Sequence, residues 1–401
     1  MWLSDFRVIL PDDVLESGSV RVEDGRIADI VEGPVAGAAV AGDGLLLMPG
    51  FIDMHGDMIE REVEPRPSVH MPLELGIRDL DRKLAGSGFT TAYAALSFSP
   101  ASTYGHLRSY DHTTEVIRAL RRMRGDLLIE HRVHARFEIT FPKALDVVHE
   151  LISEGSVELI SLTDHTPGQG QYRDIERVVE RTMAEKGLSA EEAAAAVAER
   201  IAERTRPEEE LAATLSRIST ACHANGVALA SHDDDTVAKV GIMAALGVCI
   251  SEFPVTEEAA VEARSRGLAT VMGAPNALRG QSYSGNLSAR AAHAAGLLDI
   301  LASDYHPSAM LPAVLELAKS DPNGLAGAAR LSAGNVAEAL GLKDRGAIAV
   351  GRRADLIAAT DEGLGHVVAT LRGGRMVYSN GRLDSGAFRA ARPVRAVAAV
   401  S

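Results

Sequence analysis

The sequence predicts an α/β protein, a (β/α)8 TIM barrel with a small β-sandwich domain formed by both chain termini. Three observations predict it. Apolar, strand-like runs recur through the middle of the chain with helical stretches between them, and counting the run into His55 there are eight. Strand–helix alternation over that length implies a parallel barrel. The two chain ends are written differently, as short strands joined by tight turns. Finally, nearly every central run finishes in histidine, aspartate, glutamate or arginine.

Residues 1–49 read as DFRVILP, GSVRVEDGRIADIVE and AVAGDGLLLMP, with Asp24-Gly25 between Val/Ile-rich runs as a hairpin turn. The tail repeats the style in GRRADLIAATD and HVVATLRGGRMVYSNGRL, with Gly373-Gly374 and Asn380-Gly381 as turns. These predict a composite sandwich from 1–49 and 345–401 around a barrel spanning 50–344. After LLLMPGFID the barrel strands are GFTTAYAALSFS, LLIEHRVHARFEIT, VELISLTDHT, VALASHDDD, VCISEFPV, LATVMGAPNA and LLDILASDYHP. LGIRDLDRKLAGSG, YGHLRSYDHTTEVIRALRRMRG, FPKALDVVHELISEG and TEEAAVEARSRG are the helices between them. The Glu/Ala/Arg-rich piece Arg173–Asn225 is a helical excursion, in which Ser189–Glu192, SAEE, is a capping-box start.

Composition excludes several classes. Among the 401 residues, 46% apolar, no apolar run approaches the roughly 18 that a membrane helix needs. The start, MWLSDFRVIL, has no basic segment followed by an apolar stretch, so no secretion signal is expected. Cys222 and Cys249 cannot make a disulfide framework and read as small core residues, which points to the cytoplasm. A net charge of −14 argues against a nucleic-acid surface. It leaves room for a small anionic substrate, because bound divalent cations reverse the local field.

The strand ends carry the chemistry. They deliver His55 and Asp57; His134, Arg136 and Glu138; Asp164 and His165; His232 with Asp233, Asp234 and Asp235; Glu252; and Asp304 with His306. In a barrel the C-terminal strand ends build the active site, so these residues converge. Imidazole nitrogen and carboxylate oxygen without thiolate suit zinc, manganese, iron or similar ions, and so rich a cluster suggests two of them. His55 alone could be a satisfied core histidine and Asp57 a loop cap; on an extended backbone, however, residues two apart share a face, which favours ligands. Most of the aspartates after His232 are expected to cap or to orient imidazoles. Glu252 and His306 stay open. His70, His106, His112, His131, His149, His223, His293 and His366 read as surface or packing residues.

MPGFIDMHGD resembles the first-strand signature of the amidohydrolase superfamily, usually His-x-His, with Asp57 in place of the second histidine. LSAGNVAEALGLKDRGAIAVGRRADLIAATD looks like that superfamily's return into its small sandwich. More narrowly, EHRVHARFE, SLTDHTPGQGQYRD, ASHDDDT, EFPVT, VMGAPNALRGQSYSGNLSA and SDYHP resemble one branch. Its members are diphosphatases of the carbon–phosphorus lyase pathway acting on alpha-D-ribose 1-methylphosphonate 5-triphosphate. The resemblance implies hydrolysis to the 5-phosphate and pyrophosphate, with two divalent ions, zinc first and manganese or iron as alternatives. It implies that His55 and Asp57 hold one ion, Glu138 bridges, His165 and His232 hold the second, and Asp304 lies with them and shuttles a proton. The superfamily's bridging carboxylated lysine has no counterpart here, which groups this branch with relatives using a third-strand glutamate. Phosphate contacts are expected from arginine, whose fork binds phosphate oxygens in pairs: Arg66, Arg132, Arg136, Arg173 and above all Arg279, in the glycine-bounded NALRGQSYSGN. Gln169, Gln171, Ser284 and Asn286 are polar candidates for ribose or phosphonate.

Two rivals remain at this level. One is hydrolysis of a C–N bond by a deacetylase, deaminase or cyclic amidase, since fold does not fix function; an amide substrate would not need several arginines. The other is a non-catalytic scaffold barrel, disfavoured because so many clustered carboxylates are costly without cations. Barrels of this kind often pair, so a homo-oligomer such as a dimer stays open.

Overall fold

The computed structural model describes residues 1–66, 68–99, 106–141, 143–282 and 285–383. The chain opens with five strands, β1 (Trp2–Ile9), β2 (Val14–Glu23), β3 (Arg26–Glu32), β4 (Val40–Ala41) and β5 (Leu46–Pro49). The barrel strands follow: β6 (Phe51–Gly56), β7 (Phe89–Phe98), β8 (Glu130–Glu138), β9 (Leu159–Thr163), β10 (Ala228–His232), β11 (Ile250–Glu252), β12 (Ala269–Gly273) and β13 (Ile300–Ala302). β14 (Leu356–Thr360), β15 (His366–Arg372) and β16 (Arg375–Ser379) return to the first group.

β6 to β13 form one parallel sheet in sequence order, with a bridge between Gly56 and Asp304 joining its two edges. This is the predicted barrel. Its strands are buried almost throughout, as in the ten residues FTTAYAALSF of β7, which is how a parallel strand covered on both sides must read. Ile52, Met54, Tyr93, Leu159, Ala230, Ile250, Val271 and Ile300 fill the interior and pack on Val336, Ala337 and Leu342. A larger core lies between strands and outer helices. Helix Leu73–Gly86 shows the pattern, burying Ile77, Leu80, Asp81, Leu84 and Ala85 on one stripe.

The strands of the two ends combine in a second sheet ordered β16-β15-β14-β5-β1-β2-β3, with β4 beside β1. Leu3, Phe6, Val8 and Val20 from its first half share a core with Leu356, Ala358, Val368 and Leu371 from its second, giving the sandwich. Asp24 and Gly25 both take positive φ, 48° and 77°, between the paired Glu23 and Arg26, the twist-matched hairpin turn that an Asp-Gly pair favours.

The excursion between β9 and β10 is three helices, Ile175–Lys186, Ala190–Arg204 and Glu208–Asn225. Ser189 and Glu192 form the expected reciprocal capping box. Gly187 and Gly226 end the flanking helices in the left-handed conformation, φ 65° at each. No helix among the described residues is long and apolar enough to cross a membrane.

Candidate active site at the barrel mouth

β8 sets the geometry. Its nine residues run from Glu130 to Glu138, and their alternation turns His134, Arg136 and Glu138 inward at successive heights. Four imidazoles cross the mouth in a row. Ring centroids are 5.0 Å apart from His134 to His55, 5.6 Å from His55 to His232 and 5.6 Å from His232 to His165. Glu252 sits against the first three. Its Oε1 is 3.2 Å from His55 Nδ1 and 3.7 Å from His134 Nε2, and its Oε2 is 3.2 Å from His232 Nδ1. Glu138 sits against the fourth: Oε2 is 2.7 Å from His165 Nδ1, and Oε1 accepts the His165 peptide N–H at 3.1 Å. Phe253 packs edge-on against His55 and His232, at 5.0 and 5.5 Å.

Three strand ends turn through left-handed backbone at non-glycine residues: Asp233 (φ 52°), Phe253 (φ 53°) and Asp304 (φ 56°). That conformation is strained for side chains carrying a Cβ and concentrates at functional sites. Here it aims two carboxylates and a ring across the mouth. Asp304 is fixed further by its N–H on the His55 carbonyl, 2.9 Å, and by its own carbonyl, which accepts from Asp57 at 3.1 Å. Beneath it Asp53 accepts from the peptide N–H groups of His55 and Ser303 and from the Ser303 hydroxyl.

Burial dominates the electrostatics. It lowers His55 and His134 to about 3 and His232 well below the ordinary imidazole value, with Arg136 acting in the same direction. The three rings are therefore neutral, with lone pairs to offer. Burial raises Glu252 and Asp233, and burial followed by the charges of Asp57, Asp53 and Asp233 raises Asp304 to about 7. Glu138 goes the other way: burial pushes it up, but the His165 ring and the Arg204 guanidinium outweigh that and hold it low.

Among the described residues two groups have donor atoms close enough to share a cation, His55 with His134 and Glu252, and His165 with His232 and Asp233, the atoms of each within 4.8 Å of one another. Neutral imidazole nitrogens with buried carboxylates whose ionisation burial opposes make a donor set suited to a divalent ion. The grouping differs from the sequence expectation. His134, Glu252 and Asp233 enter, while Asp57, Glu138 and Asp304 lie outside both groups, Asp57 with Oδ2 3.8 Å from Arg136 Nη1. Arg136 also brings Nη2 to 3.4 Å from His232 Nε2. The aspartates after His232 divide as expected. Asp234 accepts from the hydroxyls of Ser231 and Ser251, and Asp235 accepts the Gly170 N–H at 2.8 Å.

No protein-family model matches the chain. Over 371 residues it is 35% identical to the alpha-D-ribose 1-methylphosphonate 5-triphosphate diphosphatase of Escherichia coli (strain K12), covering 90% of this chain and 95% of that one. The chain belongs to this diphosphatase family. Solved structures that share its fold include two enzymes. A 5-methylcytosine deaminase from Klebsiella pneumoniae has a TM-score of 0.63 at 14% identity, covering 94% of this chain and 97% of that one. An N-acetyl-D-glucosamine-6-phosphate deacetylase from Mycobacterium smegmatis has a TM-score of 0.60 at 17% identity, covering 94% and 100%. At such identities they show the fold.

In this diphosphatase-family barrel the arginines expected to meet phosphate divide by height. Arg136 and Arg279 line the mouth, Arg279 with its Nη1 3.3 Å from the Tyr305 hydroxyl. Gln171 lines it too and donates to Asp233 Oδ2 at 2.8 Å. Arg132 does not reach the mouth. Four residues below Arg136 on β8, it pairs with Glu130 at 2.8 Å and lies over the Tyr93 ring. Arg345 and Arg353 join the same Glu130 from the C-terminal segment, at 2.7 and 2.8 Å. Arg66 is exposed in a loop bridged to Val69, and Arg173 is exposed in an outer groove with Gln171 and Asn286. Of the polar candidates, Asn286 lines the mouth, Gln169 donates to Asp164, and Ser284 lies outside the described residues. Sequence reasoning missed Arg61, Arg108 and Arg181, which line the mouth from helices.

Proposed function

We propose that this chain hydrolyses alpha-D-ribose 1-methylphosphonate 5-triphosphate to the 5-phosphate and pyrophosphate, in the catabolism of phosphonates in the cytoplasm. The observation that carries the reading is the near end-to-end likeness to an enzyme of that activity, and the guanidinium-lined mouth agrees with it. The barrel, 50–344, is the catalytic unit in this reading, and 1–49 with 345–383 the sandwich beside it; the rest of the expected span, 384–401, lies outside the described residues.

Two divalent ions, zinc first with manganese or iron as alternatives, would be held by His55, His134 and Glu252 and by His165, His232 and Asp233, with Asp57 and Glu138 beside them. When bound, such ions lower the pKa of a water from about 15.7 to roughly 7 and neutralise phosphate charge. The chain's own side chains do the rest. Asp304, whose carboxylate lies at the mouth, takes the proton of the attacking water and returns it to solvent, the task of a positioned general base. The water oxygen bonds to the phosphorus next to the sugar as the bond from that phosphorus to the bridging oxygen breaks, and pyrophosphate leaves with the electron pair. Arg136 holds the equatorial phosphate oxygens, where charge develops, and Arg279 meets substrate elsewhere in the same mouth. Phe253, packed on two imidazoles, keeps bulk water from that side.

The test is product analysis with added zinc or manganese. Pyrophosphate and the 5-phosphate should appear in equal amounts. Ammonia or acetate released from amide substrates, with no pyrophosphate from the triphosphate, would sink the reading in favour of C–N hydrolysis.

A further inference from the structure

The mouth consists of two adjoining spaces, one of about 590 Å³ and one of about 320 Å³. They meet at Asp57, Arg108, Arg136, Gln171, Tyr172 and Arg181, which line both. The row of imidazoles straddles the junction, with His55, His232 and Asp304 facing the larger space and His165 and Glu138 the smaller. Each space exceeds the roughly 300 Å³ at which pockets begin to bury small ligands.

Their walls differ. Four arginines, Arg108, Arg136, Arg181 and Arg200, line the smaller space; five, Arg61, Arg108, Arg136, Arg181 and Arg279, line one nearly twice the volume. Guanidinium groups are thus denser in the smaller one. Two of its four come from the helical excursion, Arg181 from helix Ile175–Lys186 and Arg200 from helix Ala190–Arg204. Arg200 is positioned by its bond to the His165 carbonyl, 3.1 Å, and by stacking over Tyr172 at 5.3 Å. Phe253, Val255 and Leu287, the last bonded to Val255 through its N–H at 3.0 Å, give the larger space apolar lining that suits a small alkyl group, and Arg279 lines the same space.

We propose that the substrate lies across both spaces in one direction, with the two phosphates that leave as pyrophosphate in the smaller space against the excursion's arginines. The ribose and its alkylphosphonate then occupy the larger space, the alkyl group on Phe253, Val255 and Leu287 and the phosphonate toward Arg279. This rests on the diphosphatase reading and adds the polarity of binding. The densest negative charge meets the densest guanidinium cluster. The scissile phosphorus falls at the junction, beside Arg136 and within the row of imidazoles. The excursion thereby gains a task, as the wall that recognises the leaving group.

Inhibition by the two products tests it, with inorganic pyrophosphate and ribose 1-methylphosphonate 5-phosphate as the probes on the full-length, metal-loaded enzyme. R200Q should weaken pyrophosphate inhibition about tenfold, the loss of a charge-assisted hydrogen bond, and leave inhibition by the phosphonate product within about twofold. R181Q, at a residue that lines both spaces, should weaken pyrophosphate inhibition the more. R279Q should weaken inhibition by the phosphonate product and spare that by pyrophosphate. R181Q covers the case in which R200Q fails to fold, since the Arg181 side chain is 48% exposed. Calorimetric binding of the same probes replaces kinetics if inhibition is weak. Exchanged effects, or equal effects of every variant on both probes, would overturn the orientation. A wild-type enzyme that releases no pyrophosphate would instead overturn the activity itself.

Discussion

Asp304 donates its peptide N–H to the carbonyl of His55 at 2.9 Å. The last barrel strand is thereby tied to the first at the level where each carries a functional side chain. Asp53 repeats the tie one layer down through Ser303. The Asp304 carboxylate is placed by main chain, so its removal should affect proton transfer more than architecture.

Asp304→Asn keeps shape and those backbone bonds while removing the titrating group. Its kcat should fall about 10²- to 10⁴-fold, the usual contribution of a positioned acid or base, with metal content unchanged. Pyrophosphate release and elemental analysis of the same preparation check both halves.

Glu252 has no exposed surface and touches three imidazoles. Glu252→Gln should lower the affinity for divalent ions about 10- to 100-fold, whether the carboxylate binds directly or orients the rings. Chelator competition reads this out; unchanged affinity would remove Glu252 from the site.

In ion-free protein the buried groups predict two opposed pH windows. His55 and His134 titrate at about 3 folded, against 6.5 ordinarily. As pH falls from 6.5 toward 3, the unfolded chain takes up protons that the folded one refuses, and stability is lost. Asp53 and Asp304 titrate at about 6 and about 7, against 3.8. Their contribution is lost in the other direction, as pH rises from 3.8 through those values. Melting curves in chelator should show His134→Gln flattening the acid-side slope and Asp304→Asn flattening the neutral-side one.

Arg204, 1% exposed, reaches from the excursion to Glu138, Nη1 to Oε1 3.5 Å, and stacks over Phe141 at 5.0 Å. Arg204→Met leaves the Glu138 carboxylate with only its His165 and Thr140 bonds and should destabilise by about 1–3 kcal/mol, the loss of a hydrogen bond to a charged group. Adding Glu138→Gln should recover part of that, because the paired charges are coupled. Urea denaturation of the two single variants and the double variant measures it.

The sequence made the barrel legible because parallel strands buried on both faces read as continuous apolar runs, and their ends announce the mouth. It resolved faces better than heights. Arg132, Arg136 and Glu138 alternate onto one side of β8, yet Arg132 lies roughly 13 Å lower, at about 3.3 Å per residue, and serves Glu130 at the base. Glu252 stayed open because β11 is only three residues, ISE, too short for periodicity to say which side chain turns inward. Arg61, Arg108, Arg181 and Arg200 escaped notice for another reason: on helices or short helical turns they look like ordinary solvated charges until the fold bends those elements over the mouth.

The pairing of β5 with β14 sets Pro49 against Leu356, about 300 residues later in the chain. At translation rates of about 5–20 residues per second, β5 waits on the order of 15–60 s on the ribosome before its partner emerges. Throughout that interval Leu46, Leu47 and Met48 form an uncovered strand edge of the kind that nucleates aggregation. Yield in cells should therefore depend on holdase chaperones more than the finished protein's stability suggests, and chains stopped before residue 356 should accumulate as insoluble material.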